Sequence, residues 1–408
     1  MKKAVLKSYA RLLIQKGINV QAGQEVIIFA GLDQPEFVTM CVEEAYKRKA
    51  KKVTVEWSYQ PISKLQMNKS PLKALCEFTD LEKAKWQNRV DKLPCLLYLE
   101  SDDPDGLKGI NQEHSQKSRA AKYKFIKEFR DKIENKYQWC IAGVPGYKWA
   151  KKVFPTLGKA KAMEALWNAI LLTSRVDEDP ILAWEKHNAD LIFRCSHLNK
   201  LKIASLHYKA SNGTDFTVGM HKEALWLGGE EIALGSGINF NPNIPSEECF
   251  TSPLKGKAEG IVYSAKPLSY NGEIIDNFNI RFKDGKAVEW HAEKNEELLG
   301  KMLTIDEGAS YLGECALIPF DSPISNTNIL FFNTLYDENA SCHLAVGHGF
   351  TNCIENYENF TQEELVKKGI NDSMTHVDFM IGTPDLEIVA TTEDGKEVPI
   401  FVKGNWAF

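Results

Sequence analysis

The sequence has 408 residues, of which 43% are hydrophobic and 26% are charged. These values are typical of a globular protein and exclude a disordered or fibrous chain, and at roughly 100–200 residues per domain the length predicts two domains. The 50 basic and 55 acidic residues give a net charge of −5, so charge favours neither a nucleic-acid nor a membrane partner. No apolar run approaches the ~18–20 residues of a membrane span.

Cysteine usage and the N-terminus indicate a cytoplasmic protein. The nine cysteines are an odd number, contain no C-x-x-C motif and mostly lie in apolar stretches such as residues 94–97. Reduced, buried thiols explain this pattern better than a disulfide framework. The basic N-terminal residues are not followed by the apolar core of a signal peptide.

The first predicted elements alternate between helix and strand. Apolar residues at helical spacing predict a helix that Gly17 ends, and residues 24–30 form a short apolar run suited to a buried strand. Pro35 begins a helix that continues to about Arg48, and residues 52–57 predict the next strand. This order indicates a βαβ unit with a parallel sheet.

Two further strands of the same sheet are predicted at residues 96–100 and 139–143, separated by a charged helix over about 112–136. Another helix covers about 159–173, and the next one passes through Trp184. From about residue 201 short strands alternate with hairpin-type turns, for example Asn271-Gly272, Asp284-Gly285 and Asp394-Gly395.

The change of pattern predicts an α/β N-terminal domain over 1–190 with a mainly parallel sheet. It also predicts an α+β C-terminal domain over 191–408, whose antiparallel strands carry the functional site. The sequence lacks the glycine-rich phosphate-binding motifs and the motifs H-E-x-x-H and G-x-S-x-G. A nucleotide-binding function would therefore rest on the fold alone.

Chemically informative residues lie in the last 160 or so positions. His376 and Asp378 are two apart, so in a strand both point to one face, where they could bind metal or form a hydrogen-bonded surface pair. His343 lies in a stretch of small and apolar residues and is either a ligand or a satisfied core residue. Glu314 lies among apolar residues, where an unpaired carboxylate is costly.

Adjacent carboxylates, Glu247 and Glu248, lie between two prolines and taken alone resemble an ordinary polar loop. Combined with the residues above, Glu248 of this doublet completes a candidate set of two imidazoles and three carboxylates. Oxygen and nitrogen donors without a thiolate suit a pair of divalent ions such as zinc, cobalt or manganese. A carboxylate can bridge two such ions, and the pair can activate a shared water.

At these positions the sequence resembles the M29 family of metallo-aminopeptidases, over essentially the whole chain. Four stretches carry the resemblance, and they match the family elements N-[IL]-P-[ST]-E-E-x-F-T, L-G-E, N-A-x-C-H-x-A and H-x-D-F-M-I-G. They are residues 243–251, 312–314, 339–345 and 376–382.

The resemblance implies two divalent ions per subunit, held by Glu248, Glu314, His343, His376 and Asp378. Glu248 is preferred because it lies 66 positions before Glu314, which fits the family better than the 67 of Glu247, but Glu247 remains possible. The implied activity is removal of the N-terminal residue from short peptides. Glu314 is expected to bridge the ions, and Glu247 is a candidate base. Similar proteins form dimers enclosing a chamber, so we expect a homodimer.

One position departs from the family pattern. A tyrosine is expected seven residues after the first ligand histidine, but Phe350 stands there, and phenylalanine cannot donate a hydrogen bond to a developing oxyanion. Either another group, with His348 or Tyr357 nearest in sequence, takes its place, or activity is altered or lost. Phe350 therefore supports one alternative function, a catalytically weakened member that binds metal or peptides. A second alternative, a metal hydrolase acting on another amide or an ester, would use the same ligand set.

Overall fold

The computed structural model describes residues 2–176 and 179–408. By its internal contacts the chain forms two compact units. One unit comprises the chain up to Asn188 together with Glu230–Ser246, and the other comprises Ala189–Gly229 and Glu247–Phe408. The predicted domain boundary between residues 190 and 191 stays a prediction.

Helices and strands alternate through the first half of the chain. In order they are α1 (Lys3–Leu12), β1 (Glu25–Gly31), α2 (Pro35–Lys47), β2 (Lys52–Ser58), α3 (Gln60–Lys69), α4 (Leu72–Cys76), α5 (Asp80–Lys92), β3 (Cys95–Glu100), α6 (Gln112–Ile133), β4 (Trp139–Gly143), α7 (Tyr147–Val153), α8 (Lys159–Thr173) and α9 (Pro180–Leu201).

Strands dominate the second half. In order the elements are β5 (Ile203–Lys209), β6 (Asp215–Gly219), β7 (Glu231–Ala233), β8 (Ile238–Phe240), β9 (Asn243–Ile244), β10 (Cys249–Thr251), β11 (Ala258–Tyr263), β12 (Leu268–Tyr270), β13 (Glu273–Lys283), β14 (Lys286–Lys294), α10 (Glu296–Leu303), β15 (Leu312–Leu317), α11 (Thr334–Glu338), β16 (His343–Gly347), α12 (Gln362–Lys368), β17 (His376–Met380), β18 (Glu387–Thr392), β19 (Glu397–Val402) and β20 (Asn405–Trp406).

The first unit is built on a parallel sheet with strand order β2-β1-β3-β4-β9. Strand β3 has buried residues at four of its six positions, as expected when helices cover a parallel sheet. Pro35 is the first residue of α2, where its missing N–H costs no hydrogen bond. The predicted parallel sheet with helices is confirmed.

The second unit contains two antiparallel sheets. A four-stranded sheet has the order β10-β15-β16-β17, and a larger one has the order β12-β13-β11-β6-β5-β18-β19-β20 with β14 added beside β13. The predicted antiparallel C-terminal part is therefore confirmed. Both sheets contribute to one apolar core, in which Tyr208, Phe278, Leu344 and Phe379 are almost fully buried.

Within residues 2–176 and 179–408, no helix combines the length and the apolar character that crossing a bilayer requires.

Candidate metal centre

Three neighbouring strands bring four candidate ligands to one face of the smaller antiparallel sheet. Ala345 of β16 pairs with Glu314 of β15 on one side and with Asp378 of β17 on the other. Paired residues in an antiparallel sheet point to the same face, so the two carboxylates flank the small Ala345. His343 lies two positions earlier on β16 and shares this face.

The fourth candidate, His376 of β17, is paired with Gly347, which has no side chain to occupy the space in front of the imidazole. On the opposite face of β17, Val377 and Phe379 enter the apolar core. The candidate ligands and the apolar residues of β17 therefore lie on opposite faces of the strand, as expected. The small residues of the central strand leave room for the longer polar side chains of both neighbours.

Glu248 directly precedes the edge strand β10, where Phe250 pairs with Ala316 of β15. Continuing this register by two residues places Glu248 on the same face as Glu314. Glu248 as a whole residue is 7% exposed, and Glu314 is 4% exposed. Two acidic side chains are thus brought together in a site that excludes most water.

The first group of possible ligand atoms is formed by Glu314, His376 and Asp378. Nε2 of His376 lies 3.1 Å from Oε2 of Glu314 and 3.1 Å from Oδ1 of Asp378. All three side chains offer an atom to the same small volume. This geometry could hold one cation.

The second group is formed by Glu248, Glu314 and His343. Nε2 of His343 lies 3.5 Å from Oε2 of Glu248 and 4.0 Å from Oε2 of Glu314. Glu314 belongs to both groups, which is the arrangement expected of a carboxylate that bridges two cations. The five predicted ligands are therefore brought together by the fold.

Both imidazoles are oriented by backbone carbonyl groups. Nδ1 of His343 lies 2.9 Å from the carbonyl oxygen of Glu338, and Nδ1 of His376 lies 2.7 Å from that of His348. A proton on each Nδ1 would be donated to these oxygens, which leaves Nε2 as the coordinating atom. Such contacts behind a histidine are a regular feature of metal sites.

His376 interacts strongly with the carboxylates of Asp378 and Glu314. Burial alone would lower the pKa of His376, but the charges and hydrogen bonds of Asp378 and Glu314 outweigh it and hold that pKa well above its usual value. Burial would raise the pKa of Asp378, but His376 and His343 hold it below its usual range. A bound cation would lie between Nε2 of His376 and these carboxylates and would interact favourably with all three side chains.

Glu338 was missed by the sequence-based prediction. It ends α11 and is 9% exposed, and its side chain is hydrogen-bonded to Asp378. Burial raises its pKa well above the usual value, and the charges of Asp378, Glu248 and Glu314 raise it further. The signal available in the sequence was the acidic pair Asp337-Glu338 directly before the N-A-x-C-H element.

Glu247, the candidate base, lies beside the site. The residue is 7% exposed, and its backbone N–H donates a 2.8 Å hydrogen bond to Oδ1 of Asn339. The amide of Asn339 in turn donates to Oε1 of Glu338 over 3.3 Å. Asn339 therefore links the glutamate doublet to Glu338, but Glu247 belongs to neither group of three ligands formed by the described residues.

Phe350 lies against the site at the position of the expected tyrosine. Its ring centroid is 4.9 Å from that of His376 and 5.5 Å from that of Phe250. The two residues that could take the place of this tyrosine, His348 and Tyr357, make contacts of a different kind. Nδ1 of His348 lies 3.6 Å from Oδ1 of Asp372, and Tyr357 packs on the apolar cluster that contains Leu365. The structure thus presents an apolar ring beside His376.

Comparison with known proteins identifies the family of this chain. The sequence model of the family described as "Thermophilic metalloprotease (M29)" matches residues 2–406. The chain belongs to the M29 metalloprotease family. Its members are hydrolases that act on peptide bonds, so the sequence-based identification of an M29 metallopeptidase is confirmed, and the family implies divalent metal cofactors.

Similar M29 proteins are named aminopeptidases. Aminopeptidase AmpS of Bacillus subtilis (strain 168) is 42% identical over 405 residues, which cover 99% of this chain and 98% of the relative. Aminopeptidase T of Thermus thermophilus is 36% identical over 424 residues, with 99% and 98% coverage. The solved structure of wild-type AmpT from Thermus thermophilus has a TM-score of 0.89 at 35% identity and covers both chains completely.

Proposed function

We propose that this M29 protein is a metal-dependent aminopeptidase that releases N-terminal residues from short peptides at a centre for two divalent ions. The observation that carries the proposal is the position of Glu314 in both groups of candidate ligands. The names of the relatives, all aminopeptidases, support the same activity.

The donor set fits two divalent ions. Glu248, His343 and Glu314 would hold one ion, and Glu314, His376 and Asp378 the other. Nitrogen and oxygen donors without sulfur favour zinc, cobalt or manganese. Three buried carboxylates within a few ångströms of each other repel strongly unless cations compensate them. The chemistry of the side chains thus supports the proposed ions independently of the relatives.

When bound, two such ions polarise a scissile carbonyl and lower the pKa of a shared water. The chain itself must hold the ions, accept the proton of the water and return it to the leaving amine. We assign bridging to Glu314 and proton transfer to Glu247. Glu338 is a second candidate for proton transfer or an additional ligand, because its hydrogen bond to Asp378 places it at the site.

The quaternary state and the compartment are also proposed. A homodimer that restricts entry to the site would favour short peptides over folded proteins. All nine cysteines are free, and eight of them are buried, which suits a reducing compartment such as the cytoplasm. Cleavage of a folded substrate as fast as a dipeptide, or a monomer in analytical ultracentrifugation, would contradict the first of these proposals.

The decisive experiment is hydrolysis of a panel of aminoacyl-p-nitroanilides and dipeptides, with N-acetylated copies of each as controls. The protein is stripped of metal with a chelator and then titrated with zinc, cobalt or manganese. We expect activity only with added metal and only on substrates with a free amino group. Equal cleavage of the acetylated copies would overturn the aminopeptidase assignment, and full activity after chelation would overturn the metal requirement.

Phe350 favours one alternative, a catalytically weakened member that binds metal or peptides. Its ring contacts His376 where a hydrogen-bond donor is expected. A protein that binds two ions per chain but does not hydrolyse any member of the panel would support this alternative.

A further inference from the structure

A cavity of about 220 Å³ opens at the carboxyl edge of the parallel sheet in the first unit. It lies between the ends of β1 and β3, which are neighbours in the order β2-β1-β3-β4. The chain continues from β1 to β2 on one side and from β3 to β4 on the other. Such a place, where the strand order changes direction, is a topological switch point. Ligands of open α/β sheets bind there, outside the carboxyl ends of the strands.

Three aspartates from the two strand ends line this cavity, namely Asp33, Asp102 and Asp103. Nζ of Lys148 lies 3.3 Å from Oδ2 of Asp103 and compensates that charge. In the described part of the chain, neither Asp33 nor Asp102 has a basic partner within 4.0 Å. Asp33 and Asp102 are both exposed to solvent. The cavity is therefore negative.

Asp33 is held in place by its neighbours. The hydroxyl of Ser101, which is 7% exposed, donates a 2.8 Å hydrogen bond to Oδ1 of Asp33. A Cβ atom on Gly31 would lie 2.6 Å from this oxygen, and one on Gly146 would lie 2.8 Å from Oδ2. The two glycines make room for a fixed carboxylate between the strand ends.

Two tyrosines add aromatic surface to the same cavity. Tyr59 and Tyr147 line it and are 52% and 40% exposed. Nζ of Lys159 already lies 4.9 Å from the ring centroid of Tyr147, so this ring accepts a cation within the chain itself. Fixed negative charge beside accessible tyrosine rings is the combination that recognises organic cations.

Other ligand classes fit the cavity less well. A phosphate would be repelled by the aspartates. A metal ion is also disfavoured. Among the described residues, the two groups of three potential metal ligands lie in the second unit, and neither group includes these aspartates. The volume of about 220 Å³ is below the ~300–1,000 Å³ typical of pockets for larger ligands, so it would hold a side chain or a small molecule.

We propose that this cavity binds the ammonium or guanidinium group of a small organic cation, with Asp33 and Asp102 opposing the charge and the tyrosines covering the aliphatic part. The cation is either a free small amine or a basic side chain of a peptide. This site shares no residue with the proposed metal centre, and its binding of a cation does not depend on peptidase activity.

The test measures binding of N-acetyl-L-argininamide to the full-length, metal-stripped protein by isothermal titration calorimetry. N-acetyl-L-citrullinamide has nearly the same shape without the charge, and neither probe has a free amino group that an aminopeptidase would need. We expect the citrulline probe to bind at least tenfold more weakly. A blocked Gly-Arg-Gly peptide distinguishes the sources: tighter binding than the amide indicates a peptide side chain, and weaker binding indicates a free small cation.

Variants assign the binding to the cavity. Asp33→Asn combined with Asp102→Asn should weaken binding of the arginine probe at least tenfold, and Asp102→Asn alone should weaken it less. The matched control is Asp91→Asn combined with Asp131→Asn, which changes the net charge by the same amount away from the cavity. It should alter affinity less than twofold. Equal binding of the two probes, no binding of the arginine probe, or unchanged affinity in the Asp33/Asp102 variant would overturn the proposal.

Discussion

Glu314 contributes to both groups of candidate ligands, and the bridging role proposed for its carboxylate is one that an amide would fill poorly. A glutamine offers only one oxygen and no negative charge, and it cannot bridge two cations. We expect Glu314→Gln to lower kcat/KM at least about 100-fold, of the order seen when one preorganised electrostatic contact is lost. The measurement is hydrolysis of a dipeptide together with metal content per chain.

The control for this prediction is Glu397→Gln, which makes the same chemical change at an exposed position of β19. It should leave both measurements unchanged. A Glu314→Gln protein that keeps full turnover would contradict the assigned role.

Glu247 and Glu338 can be separated by what each substitution removes. Glu338 is hydrogen-bonded to Asp378, so Glu338→Gln should reduce metal content and activity together. Glu247 lies outside both ligand groups, so Glu247→Gln should lower kcat about 100-fold or more with metal content retained. The reverse pattern, metal loss in Glu247→Gln only, would make Glu247 the ligand and remove its role as base.

Phe350 can be converted to the residue that the family pattern leads one to expect. Phe350→Tyr adds one hydroxyl close to His376, where a donor could stabilise an oxyanion. We expect kcat to rise about tenfold or more with little change in KM. Phe360→Tyr, in a separate apolar cluster, is the control. An unchanged or lower kcat would show that the site operates without a donor at this position.

Side chains of this site were predictable to different degrees. His343, His376 and Asp378 stand in short motifs, and the spacing of two in a strand already placed the last pair on one face. Glu338 lies at the end of a short helix and reaches the site only through the turn before β16. Local sequence patterns do not predict that a residue at the end of a short helix will lie at the site. The structure was therefore needed to identify Glu338.

Strand β15 passes close to the turn after β16, and glycine makes this possible. A Cβ atom on Gly313 would lie 2.2 Å from the carbonyl oxygen of His348, which is the oxygen that orients His376. We expect Gly313→Ala to displace this carbonyl and lower kcat/KM about tenfold or more, with metal affinity reduced as well. Activity and metal titration of the purified variant check this.

Gly158→Ala serves as the matched control, because a Cβ atom there meets nothing within 4 Å. It should behave like the unmodified protein. If Gly313→Ala retained full activity and metal affinity, the close approach of the two strands would have no part in orienting the imidazole.

Among the elements, the strands of the parallel sheet followed from their apolar runs, but helices α3, α4 and α5 between β2 and β3 were not predicted. None of these three helices has a buried residue. Without a buried face there is no apolar periodicity to detect. The capping box of Thr79 and Glu82 at the start of α5 was the remaining local signal.

At the scale of the whole molecule, each compact unit is made of two separate segments of the chain. Residues Glu230–Ser246 group with the first unit, and β9 within them pairs with β4 in parallel. This pairing joins positions about 100 residues apart, and only two residues form the strand. So short a segment gives no pattern of its own, which is why the sequence indicated only a boundary near residue 190.

The proposed ions also bear on the stability of the second unit. Glu248, Glu314 and Asp378 crowd buried carboxylates into one site, and cations bound only by the folded state stabilise it by mass action, about 2.7 kcal/mol at a hundredfold excess over Kd. For a unit of some 200 residues this corresponds to roughly 5–10 °C in Tm. Chelation should therefore lower the melting temperature by this amount.

Hydrogen exchange localises the effect. After chelation we expect faster exchange in β15, β16 and β17 and unchanged exchange in β1 and β3, because the proposed ligands lie only in the second unit. Added metal should restore protection, and Glu314→Gln should reduce the difference between the two states. Equal loss of protection in β1 and β3 would indicate that metal acts elsewhere in the chain, and an unchanged melting temperature would mean that the crowded carboxylates are tolerated without cations.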